Sequence, residues 1–293
     1  MRYQGIVIRP PSEADSLILQ VTYGCSHNKC AFCPTYKGTQ FAIRPIEEVK
    51  QDIDEAARSA WAWQRVFLCD GDPLIMPTDQ LVEILEYIRK KMPQIERVGI
   101  YGNAKSVLRK SAEELKRLRE LGLGIVYLGL ESGDPQVLID VNKWGDTEKM
   151  VEAAKRVKDA GILLSATALL GLAGRDSEKS LRHARLTAEV LNKMAPDYAS
   201  ALTVMVVPNT PLFDKMEKGE FTLPEPFEIL EELRELIKHL DLKDCLFTSN
   251  HASNYLPLRV KLPKEKERTL SLLDKVIRTH DDRLLRPEWM RGL

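Results

Sequence analysis

The chain has 293 residues, 44% of them hydrophobic and 29% charged, which suits a water-soluble α/β protein large enough to bury a full core. Its 43 Lys and Arg balance 43 Asp and Glu, so no electrostatic footprint for nucleic acid is present. No apolar run reaches the ~18 residues of a membrane span, and no basic-then-apolar leader opens the chain, so a cytoplasmic setting with reduced thiols and no membrane partner is expected.

Residues 1–14, with Arg9-Pro10-Pro11-Ser12, read as an irregular lead-in. Leu17 to Tyr23 is mostly apolar, as a strand covered on both faces should be. It runs directly into Gly24-Cys25-Ser26-His27-Asn28-Lys29-Cys30-Ala31-Phe32-Cys33, where three of the five cysteines stand as C-x4-C-x2-C. Pro45 then opens a helix with Ile46, Val49, Ile53, Ala56 and Ala60 on one stripe. Strand and helix go on alternating. Arg65–Cys69 is a strand, followed by Asp70-Gly71-Asp72-Pro73 and a helix with Leu81, Ile84, Leu85 and Ile88 inward. Arg97–Tyr101 is a strand, and Ser111 with Glu114 forms a capping box ahead of Leu115, Leu118 and Leu121. Gly124–Leu130, Leu163–Leu170 and Ala199–Val207 complete six strands, with Ser177 expected to cap the helix after the fifth. A helix over Pro226–Leu240 turns Ile229, Leu233, Leu236 and Ile237 inward, and a last one after Pro263 buries Leu270, Leu273 and Val276.

Strands spaced by one βα unit imply a parallel sheet with right-handed crossovers. Periodicity leaves an open doubly wound sheet and a curved partial barrel equally possible.

Three thiolates gathered without a cation would repel one another, so the cysteine loop points to a metal centre. A zinc site would need a fourth ligand, with His27 the near candidate. A plant-type two-iron cluster would need a fourth cysteine close by, but Cys69 follows a whole helix and ends a strand. A four-iron cluster with three cysteine ligands leaves one iron open, and it suits the ligand count.

With Phe32 just before the last cysteine, this loop resembles the radical S-adenosylmethionine (radical SAM) superfamily, in a variant spacing one residue longer than the usual C-x3-C-x2-C. The resemblance covers residues 15–245. It implies a (β/α)6 partial TIM barrel in the α/β class, flanked by the lead-in 1–14 and a short C-terminal extension over 246–293 that covers the barrel. It also implies a [4Fe-4S] cluster on Cys25, Cys30 and Cys33, with SAM chelating the open iron. An electron from a flavodoxin or ferredoxin would cleave SAM to a 5′-deoxyadenosyl radical, which takes a hydrogen atom from a small or medium-sized organic substrate. The competing class is a non-catalytic iron–sulfur electron carrier or a zinc-stapled scaffold.

In parallel α/β folds ligands sit at the carboxyl ends of strands. There the resemblance assigns Asp70-Gly71-Asp72 to the methionine end of SAM, although the same residues suit a helix-entry turn. Gly129-Leu130-Glu131-Ser132-Gly133 resembles a segment of the branch that includes oxygen-independent coproporphyrinogen oxidase and the elongator catalytic subunit, where the glutamate contacts the SAM ribose. Glu131 could equally be a solvated loop carboxylate. Gly171-Leu172-Ala173-Gly174 is similar to the turn that faces adenine, with alanine in place of proline, and Ser165 is a candidate hydroxyl for the SAM carboxylate. Asn103 and Lys105 are placed to face substrate. Cys69 and Cys245 read as buried structural thiols, and Trp61, Trp63 and Trp144 as packing at element junctions. The polar segment Asn250-His251-Ala252-Ser253-Asn254-Tyr255 suits either a surface turn or a cover over the barrel mouth, with His251 as candidate acid or base.

Overall fold

The computed structural model describes residues 1–59, 61, 63–144 and 146–292. Its elements are β1 (Leu17–Gln20), β2 (Thr22–Tyr23), β3 (Ala42–Ile43), α1 (Ile46–Arg58), β4 (Arg65–Cys69), α2 (Thr78–Lys91), β5 (Arg97–Gly102), α3 (Ala104–Leu108), α4 (Ala112–Glu120) and β6 (Leu123–Glu131). They continue as α5 (Pro135–Asp140), α6 (Thr147–Asp159), β7 (Leu163–Leu170), α7 (Ser177–Met194), β8 (Tyr198–Thr203), α8 (Pro211–Glu217), α9 (Pro226–His239), β9 (Cys245–Thr248), β10 (Arg259–Leu262) and α10 (Lys266–Thr279). They fall into two compact units, Met1–Asn28 with Thr35–Leu128 and Glu152–Leu164, and Lys29–Pro34 with Gly129–Val151 and Ser165–Leu293.

In the first unit β1, β4, β5 and β6 pair in parallel, each strand joined to the next through helices. Their cores are apolar because both faces are covered: Leu19, Val66, Phe67, Leu68, Ile100 and Val126 are fully buried. Helix α1 turns Val49, Ile53 and Ala56 inward, α2 does so with Leu81, Ile84, Leu85 and Ile88, and α4 with Leu115 and Leu118 behind the expected Ser111–Glu114 box. Ala60, the last member of the expected α1 stripe, lies outside the described residues. The strand expected over 17–23 is two strands. β1 ends at Gln20, and Thr22-Tyr23 turns away to pair antiparallel with Ala42-Ile43. That two-residue ladder closes the base of the loop that carries the cysteines.

In the second unit β7, β8 and β9 are parallel and β10 runs antiparallel to β9. Neither of the last two strands was expected; the polar 250–255 stretch masks them, being their connection. β8 stops at Thr203 rather than Val207, and α7 is capped by Asp176, whose carboxylate accepts from the Lys179 amide, so Ser177 is its first helical residue. Helix α9 buries Ile229, Leu233, Leu236 and Ile237 as its stripe requires.

The interior of the first unit has an aromatic layer. Phe67 meets Tyr101 and Tyr127 edge-on, with centroids 4.8 and 5.5 Å apart. Below it the short helical turn Pro11–Glu13 inserts Glu13, which is fully buried and accepts from the Tyr127 and Ser16 hydroxyls and the Arg97 guanidinium. A buried carboxylate is tolerated only with such partners. Glu13→Ala, which removes the buried acceptor these three donors share, is expected to lower the unfolding free energy by about 3 kcal/mol in urea titrations. A loss below about 1 kcal/mol would mean that water replaces the carboxylate at no penalty.

Candidate cluster-binding loop and strand ends

The first half of the cysteine loop is fastened to the end of β4. Gly24 donates its amide to Asp70 Oδ2 at 2.8 Å and accepts from the Gly71 amide at 3.0 Å. A Cβ on Gly71 would lie 2.4 Å from Cβ of Cys25 and 2.9 Å from the Tyr36 ring, so only glycine fits. Asp70 sits at φ +107°, a conformation that few non-glycine residues adopt. It is 2% exposed, its Oδ2 also accepts from Gln20, and burial pushes its carboxyl up to about 6. Asp72, also buried, receives the hydroxyls of Ser26 and Ser106 and the amide of Asn103. Asn103 in turn caps α3 reciprocally with Ser106. The Asp70-Gly71-Asp72 carboxylates therefore hold the chain on both sides of Cys25, and Asn103 belongs to the same network. Lys105 is exposed.

Asn28, at φ +43°, turns the loop and donates its side-chain amide to the carbonyls of Tyr36 and Thr39. Neither Asn28 nor Tyr36 was singled out in the sequence, though an asparagine after His27 is itself a turn signal.

The second half of the loop is held in the second unit. Ala31 donates to the Val141 carbonyl at 2.7 Å and accepts from the Leu212 amide at 3.0 Å. Its side chain is buried with Val137, Val141, Leu172, Val204 and Leu212, and Phe32 packs against that cluster. The aromatic residue before the last cysteine thus anchors the loop by apolar contact. Cys25, Cys30 and Cys33 are half-buried and no disulfide joins any of the five cysteines. Among the described residues no three His, Cys, Asp or Glu side chains stand together as a metal site. Cys69 is fully buried at the end of β4, where burial pushes its thiol pKa far up, and Cys245 is buried at the start of β9.

At the end of β6 Glu131 adopts φ +62° and its Oε1 accepts from Lys143 Nζ at 3.0 Å. Both side chains are 13% exposed. The carboxylate folds back over Gly129, where a Cβ would come within 2.1 Å of Oε1. Gly133 donates to Thr187 Oγ1, and its own Cβ would lie 2.3 Å from the Leu186 carbonyl. Asp134 caps α5, accepts a hydrogen bond from Arg182 Nε and pairs with that guanidinium. Lys143 and Arg182 were not foreseen, because nothing near them in the sequence says what they pair with.

At the end of β7 Gly171 has φ +82° and Gly174 φ +75°, and Gly174 donates back to the Gly171 carbonyl, so the expected turn forms without its proline. Ser165 is buried in β7, opposite Tyr198 of β8.

His251 is half-buried. Its Nδ1 accepts from the Ser253 amide, which leaves its proton on Nε2, and burial together with Arg286 holds its pKa below the ordinary 6.5. Asn254 ties this segment to β8 by accepting from Thr203 Oγ1 and donating to the Ala201 carbonyl. Arg286 donates to the carbonyls of His251, Ala252 and Asn254. Trp61, by contrast, is 71% exposed and stacks on the half-buried Trp63, so Trp61 itself is not packed at a junction. Trp144 lies under Lys149 Nζ.

Comparison with known proteins gives the family. The radical SAM superfamily matches residues 19–186, more than half of the chain. The heme chaperone HemW of Bacillus subtilis is 24% identical over 220 residues, 73% of this chain and 56% of its own. Anaerobilin synthase of Escherichia coli O157:H7 is 21% identical over 235 residues, 77% of this chain and 51% of its own, so the chain spans about half the length of these relatives. Coproporphyrinogen III oxidase (HemN) of Escherichia coli, described as a radical SAM enzyme, superposes with a TM-score of 0.55 at 18% identity over 76% of this chain and 51% of that one. Methylornithine synthase (PylB) gives 0.55 at 18% identity over 79% and 63%. The fold is the α/β partial barrel of these structures, and the chain belongs to the radical SAM superfamily, whose enzymes use a [4Fe-4S] cluster and SAM.

Proposed function

We propose that the protein is a radical SAM enzyme that cleaves SAM reductively and abstracts hydrogen from a small or medium-sized organic substrate, with a flavodoxin or ferredoxin as reductant. The observation that carries this is the cysteine loop, whose three half-buried thiols stand on backbone pinned at Gly24 and at Ala31. What supports three-thiolate ligation is the donor set, three half-buried cysteines on one loop. Cys25 is set against the glycine cradle at Gly71, and Cys69, the one further cysteine near β4's end, is fully buried with its thiol held protonated. When bound, the cluster supplies the electron that splits SAM into methionine and a 5′-deoxyadenosyl radical.

The chain's own part is binding, orientation and exclusion of water. Cys25, Cys30 and Cys33 hold the cluster, and Phe32 keeps the last turn of the loop seated. Asp70, Gly71 and Asp72 set the loop's path on the side that takes the methionine end of SAM. Glu131 offers its carboxylate to the ribose hydroxyls, because a carboxylate accepts two hydrogen bonds from a vicinal diol. Lys143 holds that carboxylate in place through its 3.0 Å contact to Oε1. The Gly171 turn takes the adenine, and Ser165 supplies a hydroxyl. His251, neutral at neutral pH, serves as an acceptor or base toward substrate rather than as an acid. Among the described residues no helix is long and apolar enough to cross a membrane.

Replacing any one of Cys25, Cys30 or Cys33 by alanine is expected to abolish cluster assembly on anaerobic reconstitution, whereas Cys69→Ala and Cys245→Ala keep about four irons per chain. Iron retained by the Cys30 variant would overturn the ligand set, and two irons or one zinc in the wild type would favour a carrier or scaffold.

Glu131→Ala should weaken SAM binding by about 1.5–3 kcal/mol with the cluster intact, as measured by titrating reconstituted protein. Unchanged affinity would return Glu131 to the role of a loop carboxylate paired only with Lys143.

Because the folded pKa of His251 lies below 6.5, its environment favours folding fully above that pH. As the pH falls through 6.5 toward the lowered folded value, the unfolded chain takes up a proton that the folded chain refuses, and stability is lost. Urea unfolding of wild type and His251→Gln between pH 7 and pH 5 should show a shallower decline in the variant. Equal slopes would mean a solvated ring.

A further inference from the structure

Helix α9 places one carboxylate, Glu232, at complete burial against the turn that follows β7. The Gly171 amide donates to both of its oxygens, at 3.0 and 3.1 Å. Ser180 Oγ donates to Oε2 at 2.7 Å and His183 Nδ1 to Oε1 at 2.9 Å, both from α7. Ser180 is 7% exposed and His183 1%, and His183 Nε2 has no partner among the described residues. Packing of α7 on α9 does not by itself call for a carboxyl group here. Apart from the Arg185–Glu235 ion pair at 3.1 Å, that contact is built on apolar residues, with Ala184, Ala188 and Leu191 buried on α7 and Leu233, Leu236 and Ile237 on α9. An ionised group taken from water into such an interface is unfavourable unless every oxygen is engaged, and a hydrophobic residue would pack the helices as well.

What the carboxylate does is fix a backbone amide. Gly171 stands at φ +82°, with Ile229 Cδ1 and Val204 Cγ1 only 3.0 and 3.1 Å from where its Cβ would be. The next residue, Leu172, is buried in the same apolar cluster as Ala31, against which Phe32 packs. A turn fixed at Gly171 therefore fixes the surface that Leu172 and Ala173 present beside the Cys30–Cys33 segment.

We propose that Glu232, with Ser180 and His183 as its supports, is a positioning residue for the adenosine half of SAM. It acts through the Gly171–Gly174 turn and touches neither SAM nor the cluster. This rests on the SAM-binding reading above.

The test uses the full chain, reconstituted anaerobically, with Glu232→Gln as the variant. Iron content and methionine affinity are expected to match wild type, while affinities for SAM and S-adenosylhomocysteine fall about tenfold, the scale of one charge-assisted hydrogen bond. Leu191→Ala, a packing change in the same helix pair, should lower the unfolding midpoint and leave all affinities unchanged. The clamp is overturned if folded Glu232→Gln binds SAM within about twofold of wild type, if methionine affinity falls equally, or if Leu191→Ala loses as much SAM affinity. Should Glu232→Gln not fold, Ser180→Ala carries the test, with about a threefold loss expected in the same pattern and no loss overturning the clamp. A cluster-loaded wild type that binds no SAM overturns the SAM reading itself, and the role of the clamp with it.

Discussion

The absence of a side chain at Gly71 lets the end of β4 press directly on Cys25, and much of the site follows from that contact. A backbone this close to a cysteine must be held in register or it would drift. Two amide hydrogen bonds do so, from Gly24 to Asp70 and from Gly71 to Gly24. Asp70 pays with a left-handed φ and a carboxyl raised to about 6. Strain and burial of this kind persist only where the surroundings over-determine the conformation, as Gln20 and Gly24 do here.

The same device recurs. Glu13 under the aromatic layer, Asp70 and Asp72 beside Cys25, and Glu232 behind the Gly171 turn are buried acids that gather amides and hydroxyls. Each stands where a strand or turn must be set at a defined angle rather than merely buried. Apolar packing is non-directional and would let such backbone shift by fractions of an ångström.

Much of this was legible in advance. The apolar stripes of α1, α2, α4 and α9 and the six expected strands follow from periodicity, and the cysteine spacing named the chemistry of its loop. What was not legible depends on residues far apart in the chain. Gly71 shows its purpose only once Cys25 lies on it, and Lys143 only once it reaches Glu131. Glu232 reads as one more acid on an amphipathic helix, since sequence alone does not distinguish a solvated glutamate from a buried one. β9 and β10 escaped because each is four residues long and their connection is the polar 250–255 stretch. Ser177 has as good a capping side chain as Asp176, so sequence alone does not place the start of α7 between them.

The ladder between β2 and β3 gives the loop a thermodynamic character of its own. Two residue pairs close a span that runs from Gly24 to Phe41. Within it Gly24, Asn28 and Ala31 are tied to backbone or side chains by hydrogen bonds. Closing such a span costs chain entropy, and three metal–sulfur bonds would recover it. Loading the proposed cluster would then be partly a folding reaction. The free energy of metal binding and the rigidity of residues 24–41 are linked quantities, so amide protons in this span should exchange with solvent at rates that report occupancy rather than global stability.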